Sequence, residues 1–174
     1  MQPIAIAASP LTYTEYRKLS LIDFRVRYPF YYIGLPAITL LPLVVIAAVA
    51  VLDGTSSIDW QFIRTPVSLF GIAALIWGAT LYSLRRDYRR NSSLRDGVIY
   101  RLDERGLAQE GNSEELILWS NIAKTAVQVG KWILLRQVAP TSKEIYFLNT
   151  ANVMPPAERS ELLALLKRKR IRPI

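Results

Sequence analysis

Four carboxylates could do chemistry if the fold gathered them: Asp103, Glu104, Glu114 and Glu115. A carboxylate pair can act as general acid and base, and a cluster can hold a hard cation such as Mg²⁺ through oxygen alone. The usual companions of such groups are missing from the sequence. It contains no cysteine and no histidine, which excludes disulfides, thiol nucleophiles, thiolate or imidazole metal sites and histidine proton transfer. The four acids stand beside Gly106 and the run Gly111-Asn112-Ser113, where turns call for acidic residues on their own account. No nucleotide-binding, kinase or zinc motif is present. The sequence therefore predicts no catalytic residue, no cofactor and no metal.

The second group with chemical potential is cationic. Arg85, Arg86, Arg89 and Arg90 crowd the string SLRRDYRRNSSLRD, and Lys167, Arg168, Lys169 and Arg170 crowd the end of the chain with Arg172. In all, 22 Lys and Arg stand against 14 Asp and Glu among 174 residues, a formal charge of +8. In a water-soluble protein that excess would suggest nucleic acid. Here much of it flanks two apolar runs, so membrane orientation and anionic lipid explain it more simply, and no nucleic-acid partner is expected.

Those runs are the elements that must position everything else. Phe30 to Leu52 carries no charge, and Thr65 to Leu84 is equally clean. A helix needs roughly 20 residues to cross a hydrocarbon core about 30 Å thick, and two spans cannot close a barrel. A transmembrane hairpin is expected, with spans near 30–52 and 63–84. No ionisable residue lies at mid-depth, so it reads as an anchor or packing surface and not a transport path. Pro36 and Pro42 interrupt the first span, and Gly71 and Gly78 share roughly one face of the second. The connecting segment, Asp53 to Gln61, has two aspartates and no Lys or Arg. Arg17, Lys18, Arg25 and Arg27 precede the first span and the Arg85–Arg90 cluster follows the second. Basic flanks stay inside, so both termini are expected in the cytoplasm.

Before the hairpin, residues 1–29 hold a β-leaning run, Pro3 to Ala8, that could add an edge strand to a later sheet. The N-terminal stretch lacks the basic start and apolar centre of a cleaved signal peptide. Thr12 and Glu15 have the spacing of a capping box, followed by Leu19, Ile22 and Val26 at helical spacing. That helix either lies at the membrane interface or packs on the C-terminal domain and leads into the span.

After a basic linker, 85–95, the composition turns polar. Strand patterns recur from 96 to 174, near Gly97–Leu102, Leu107–Glu110, Glu115–Trp119, Lys131–Val138 and Glu144–Leu148, with Gly106 suited to positive φ and Gly130 to a tight turn. Pro155-Pro156 opens a helix with Leu162, Leu163, Leu165 and Leu166 as its apolar stripe. Trp119 and Ile122 read as core and not as a ligand pocket. Short antiparallel strands followed by one amphipathic helix predict an α+β membrane protein whose small cytoplasmic β domain is pleckstrin-homology-like and closed by the C-terminal helix.

The order of YRLDERGL, LILWSNIAK, VGKWILL, IYFL and a proline-led terminal helix resembles the YcxB-like family of bacterial two-span membrane proteins. The resemblance runs over the whole chain and is clearest at Gly106, Trp119, Ile122 and Pro156 to Leu166. VMPPAERSEL lacks the basic and aromatic residues that the family places before that helix. The resemblance implies the architecture and a bacterial inner membrane; it carries no activity. The function expected is a non-enzymatic binding or accessory module. It would present its β domain to a membrane protein complex, to a second copy or to anionic lipid. An immunity protein neutralising a membrane-acting toxin is the alternative, and a small lipid-modifying enzyme would need groups the spans lack.

Overall fold

The computed structural model describes residues 3–52, 60–110, 116–138 and 144–174. The acidic connecting segment, the Gly111-Asn112-Ser113 turn with Glu114 and Glu115, and the Pro140–Lys143 turn lie outside the described residues. The protein is α+β, with two apolar helices long enough to cross a membrane and two mostly antiparallel sheets. By contacts it divides into two units. One joins 1–19 to 90–174, and the other runs from 20 to 89. The four segments drawn from the sequence follow the chain, whereas the units follow packing and bring its two ends together.

Among the described residues the first unit holds eight strands: β1 (Ile4–Ile6), β2 (Ile99–Leu102), β3 (Gly106–Glu110), β4 (Leu116–Leu118), β5 (Thr125–Val129), β6 (Trp132–Arg136), β7 (Ile145–Asn149) and β8 (Arg172–Pro173). They form two four-stranded sheets, ordered β1-β2-β3-β4 and β7-β6-β5-β8. Every pair is antiparallel except β5 with β8. β1 is the edge strand foreseen at Pro3–Ala8, with Ile4 opposite Leu102 and Ile6 opposite Tyr100. Isolated bridges pair Ile6 of β1 with Val153 and Ile122 with Gln137.

The segment before the apolar helices is stitched in on several sides. Ala7 N–H donates to Asn152 O and Met154 N–H to Ala5 O, both at 2.8 Å, and Leu11 N–H reaches Leu94 O at 2.8 Å. Asn152 Nδ2 donates to Ser9 Oγ at 2.8 Å. Gly97, at φ 76°, passes so close that a Cβ would stand 2.8 Å from the backbone nitrogens of Ser9 and Pro10.

β6 reads WILL without alternation because both faces of its sheet are covered, as a continuous apolar run requires. Ala126, Ile133, Leu135, Tyr146 and Leu148 face the main core. Val127, Leu134 and Phe147 align across the sheet in the alternate register, and Tyr16 packs edge-on against Phe147 at 5.8 Å. Tyr16 comes from α1 (Tyr13–Arg27), so the start of that helix packs on the β unit, one of the two roles expected for it. The Thr12–Glu15 capping box forms: Thr12 N–H donates to Glu15 Oε2 (3.1 Å) and Glu15 N–H to Thr12 Oγ1 (3.3 Å). The buried line of α1 is Tyr16, Leu19, Ser20 and Asp23, and Val26 is exposed. Asp23 accepts from Arg27 Nε at 2.7 Å.

α5 (Arg159–Arg168) plugs the main core with Leu162, Leu165 and Leu166. It starts later than Pro156, after N-cap Glu158, whose N–H donates to the Glu161 carboxylate at 3.4 Å. A proline pair cannot itself supply the N–H and carboxylate exchange that fixes this first turn.

The second unit contains the last part of α1, a π-helical turn at Phe30–Gly34, α2 (Leu35–Leu52) and α3 (Trp60–Arg90). Pro36 has no N–H for the carbonyl four residues back, and the widened turn ends just before it. The basic 85–95 segment is largely helical: α3 runs to Arg90 and a short α4 (Ser92–Asp96) follows. Ser68 Oγ and Thr80 Oγ1 donate to the carbonyls of Arg64 and Ile76, each at 2.8 Å, which satisfies both hydroxyls within the helix.

Candidate functional site

α3 has 31 residues, a length of about 46 Å at 1.5 Å per residue, so it is longer than an apolar core about 30 Å thick. The excess includes its basic end. At 3.6 residues per turn Arg85, Arg86, Arg89 and Arg90 fall within an arc of about 140°, and Tyr82 lies inside that arc one turn earlier. All five side chains are exposed. Asp87 lies on the opposite side, where its carboxylate accepts from Ser83 Oγ at 3.4 Å. The sequence-predicted arginines therefore form one basic face with an aromatic at its apolar margin. Further aromatics surround the start of the first apolar run. Tyr32 meets Trp77 edge-on at 5.4 Å, Phe24 meets Tyr28 at 5.4 Å, and the Arg25 guanidinium lies 5.9 Å from the Tyr32 ring. Aromatic rings beside cations are the composition of a headgroup layer.

The apolar helices themselves offer surface. Leu41, Val44, Val51 and Leu75 are 65%, 64%, 81% and 75% exposed. A Cβ at Gly71 or Gly78 would meet nothing within 4 Å. Neither glycine is used for close helix approach among the described residues.

The second basic group divides. Lys169 Nζ donates to Glu104 Oε2 at 2.6 Å and to Glu104 O at 2.8 Å, and Arg168 Nη1 lies 3.3 Å from Glu104 Oε1. The Lys169 hydrogen bond, aided by the charges of Lys169 and Arg168, holds the Glu104 carboxyl below its ordinary 4.5. Two of the four cations thus pin the end of α5 to the β2–β3 turn, while Lys167 and Arg170 remain exposed.

Asp103 and Glu104, the two candidate acids among the described residues, are taken up in structure. Asp103 Oδ1 accepts the N–H of Arg105 at 2.7 Å and of Gly106 at 2.8 Å, the expected side-chain turn. Trp119 is buried, as its core reading predicts, and its Nε1–H donates to Asp103 O at 2.9 Å. Ile122 is 2% exposed. No group of three or more acids that could hold a metal exists among the described residues. Gly106 is a glycine for a reason other than the positive φ expected. A Cβ there would stand 2.1 Å from Ile117 O, so the position permits β3 and β4 to close. Gly130, at φ 58°, makes the expected tight turn.

Sequence reasoning missed two groups. Tyr100 is buried, and burial pushes its hydroxyl up to about 12, with Glu144 adding to the rise and a backbone hydrogen bond from Phe147 opposing it. Its place in β2 gave a strand signal but no sign of a buried phenol. The Arg170–Lys124 edge described below joins residues 46 positions apart in the chain, and only the β5–β8 pairing brings them together. No family model, curated protein or solved structure matches the chain.

Proposed function

We propose that the chain is an integral membrane protein of two spans whose β unit is a non-enzymatic binding or accessory module. It is held at the cytoplasmic face of a bacterial inner membrane and offered to a membrane protein complex or to anionic lipid. The observation that carries this reading is the exposure of the apolar helices. Among the described residues none of Phe30–Val49 is buried, and of Val67–Arg90 Ala73 alone is. A helix that served a soluble core would be buried, and so much contiguous apolar surface is not left to water. The order of three strands, three strands and a plugging helix supports a pleckstrin-homology-like reading, with β1 and β8 as additions. The YcxB-like segment order points the same way.

Orientation follows from two supports. The four arginines at the end of α3 favour the cytoplasm. The pairing of β1 with β2 supports placing the segments before and after the apolar helices on one side, as an even number of crossings would. The absence of cysteine makes the test direct. The chain should stay with membranes in alkaline carbonate. In intact cells an impermeant maleimide should label Ser57→Cys and leave Ile174→Cys unlabelled until the membrane is opened. Release by carbonate, or labelling of Ile174→Cys from outside, would overturn the proposal.

A further inference from the structure

The end of α5 holds a conformation its residue does not favour. Arg170 stands at φ 61°. Its N–H donates to Lys167 O at 3.0 Å, and Ile171 N–H donates to Leu166 O at 2.9 Å. With Ile171 and Leu166 both buried, this is a Schellman termination, whose left-handed position is normally glycine because a Cβ crowds the neighbouring carbonyl. An arginine kept where glycine fits better points to use of its side chain.

Its neighbours suggest the use. Arg172 stands beside Thr125 in the β5–β8 pairing, and Arg172 N–H donates to Lys124 O at 2.8 Å. Lys124, Lys167, Arg170 and Arg172 therefore gather where the end of α5 meets the start of β5, and all four are exposed. No carboxylate among the described residues pairs with them, the nearby Glu104 being held by Arg168 and Lys169.

We propose that this edge docks on the phosphates of anionic phospholipid headgroups. The inference rests on the membrane reading above and names a ligand for the basic tail within it. The backbone favours a lipid surface over a free anion. A small phosphate is gripped by converging N–H groups, but the N–H groups of Arg170, Ile171 and Arg172 are all spent on carbonyls. What is left is a set of long cationic side chains, which suits an extended layer of negative charge.

The test places a fluorophore on Ile174→Cys in the full chain, reconstituted in nanodiscs of phosphatidylcholine with or without phosphatidylglycerol, with a quencher on the headgroups. Anionic discs should raise the docked-to-undocked ratio on the order of fivefold per cation engaged, and high salt should abolish the gain. Arg170→Gln with Arg172→Gln should remove most of it. Arg170→Gly separates use from structure: it should raise the thermal midpoint and weaken docking, whereas a purely structural Arg170 would leave docking unchanged. Equal quenching in both disc types, intact docking in Arg170→Gly, or release by inorganic phosphate or a short RNA at constant ionic strength would each overturn the inference. A chain that fails to enter discs would refute the membrane reading as well. One that enters and shows no headgroup preference would refute this inference alone.

Discussion

Ile6→Ala should destabilise a unit most of which lies more than 90 residues later in the chain. Ile6 is 1% exposed, stands opposite Tyr100 and bridges to Val153. Truncating a buried isoleucine costs roughly 2–5 kcal/mol, against about 1 for Ile→Val at the same site. A domain of this size has a total stability of about 5–15 kcal/mol, so a loss near 3 kcal/mol raises the opened population on the order of a hundredfold. Adding Ile4→Ala should cost less than twice as much, because both side chains fill one core and their effects couple. Limited proteolysis of the full chain in membranes reads this directly, since cleavage follows the opened population when closing is fast. Leu162→Ala, in the centre of α5, is the positive control. If Ile6→Ala left cleavage between 98 and 173 within about twofold of the parent while Leu162→Ala accelerated it, β1 would not be part of the unit. A covalent version uses Ala5→Cys with Arg101→Cys, register partners within the Cα separation a disulfide spans. Oxidant should join them in membranes.

The two glycines should fail differently: Gly106→Ala, facing Ile117 O, should cost about 3 kcal/mol or more, and Gly130→Ala, with open space but φ 58°, only about 1–2. Urea midpoints distinguish them. Glu15 is held below 4.5 chiefly by the Thr12 backbone and side-chain hydrogen bonds, and Glu104 by Lys169. A depressed folded value gives stability that is present above the unfolded value and lost as pH falls below 4.5. Glu15→Gln and Glu104→Gln should therefore lower the thermal midpoint near neutrality and converge on the parent in acid. Tyr100 acts at the other end. Its folded value of about 12 against an ordinary 10.0 means that the unfolded chain ionises first, so stability should fall by roughly 3 kcal/mol between about pH 10 and about 12. Tyr100→Phe should flatten that limb in alkaline unfolding. Replacing Arg85, Arg86, Arg89 and Arg90 by Gln should produce a mixture of orientations in the maleimide assay while leaving the β1–β2 cross-link intact.

What was legible in the sequence was local. The capping box needs only Thr12 and Glu15 three residues apart, the Gly130 turn only its own φ, and the apolar helices only length and the absence of charge. Leu162, Leu165 and Leu166 could be placed on one helical stripe because their spacing repeats in the helix period. Two features that stayed hidden involve a partner remote in sequence. Gly106 was assigned a dihedral reason because a turn sequence suggests one, whereas its constraint is the carbonyl of Ile117 across a strand pair. Arg168 and Lys169 group with the lipid-facing cations in the sequence, because Glu104, which binds them, is 64 and 65 residues away. On α1, helical spacing puts Leu19, Ile22 and Val26 on one line and gives no sign that Asp23 is buried and Val26 exposed. The charge of Asp23 is carried into the interior by Arg27, one turn further along the same helix.

If the two apolar helices cross a membrane as proposed, the same distinction explains how the chain would commit to a topology. Charge bias around a span is a sum of weak terms, on the order of 1 kcal/mol per cation near an anionic leaflet, and it sets which side the ends occupy. Strand pairing sets something different, namely that the two ends occupy the same side. If only one apolar helix crossed, β1 would be stranded opposite β2. The core would then lose Ile4 and Ile6 together, while Met154 N–H would lose its acceptor Ala5 O, and Asn152 O and Leu94 O would lose the N–H donors of Ala7 and Leu11. Two buried isoleucines alone are worth roughly 4 kcal/mol or more, and the lost carbonyl partners add to that. That penalty falls on the folded unit after synthesis, whereas the charge bias acts as each helix inserts. A chain that inserts incorrectly therefore cannot hide the error, because its β unit stays open along the β1 edge. On the proposed reading, the discontinuous fold makes correct insertion a condition of having a stable module to present.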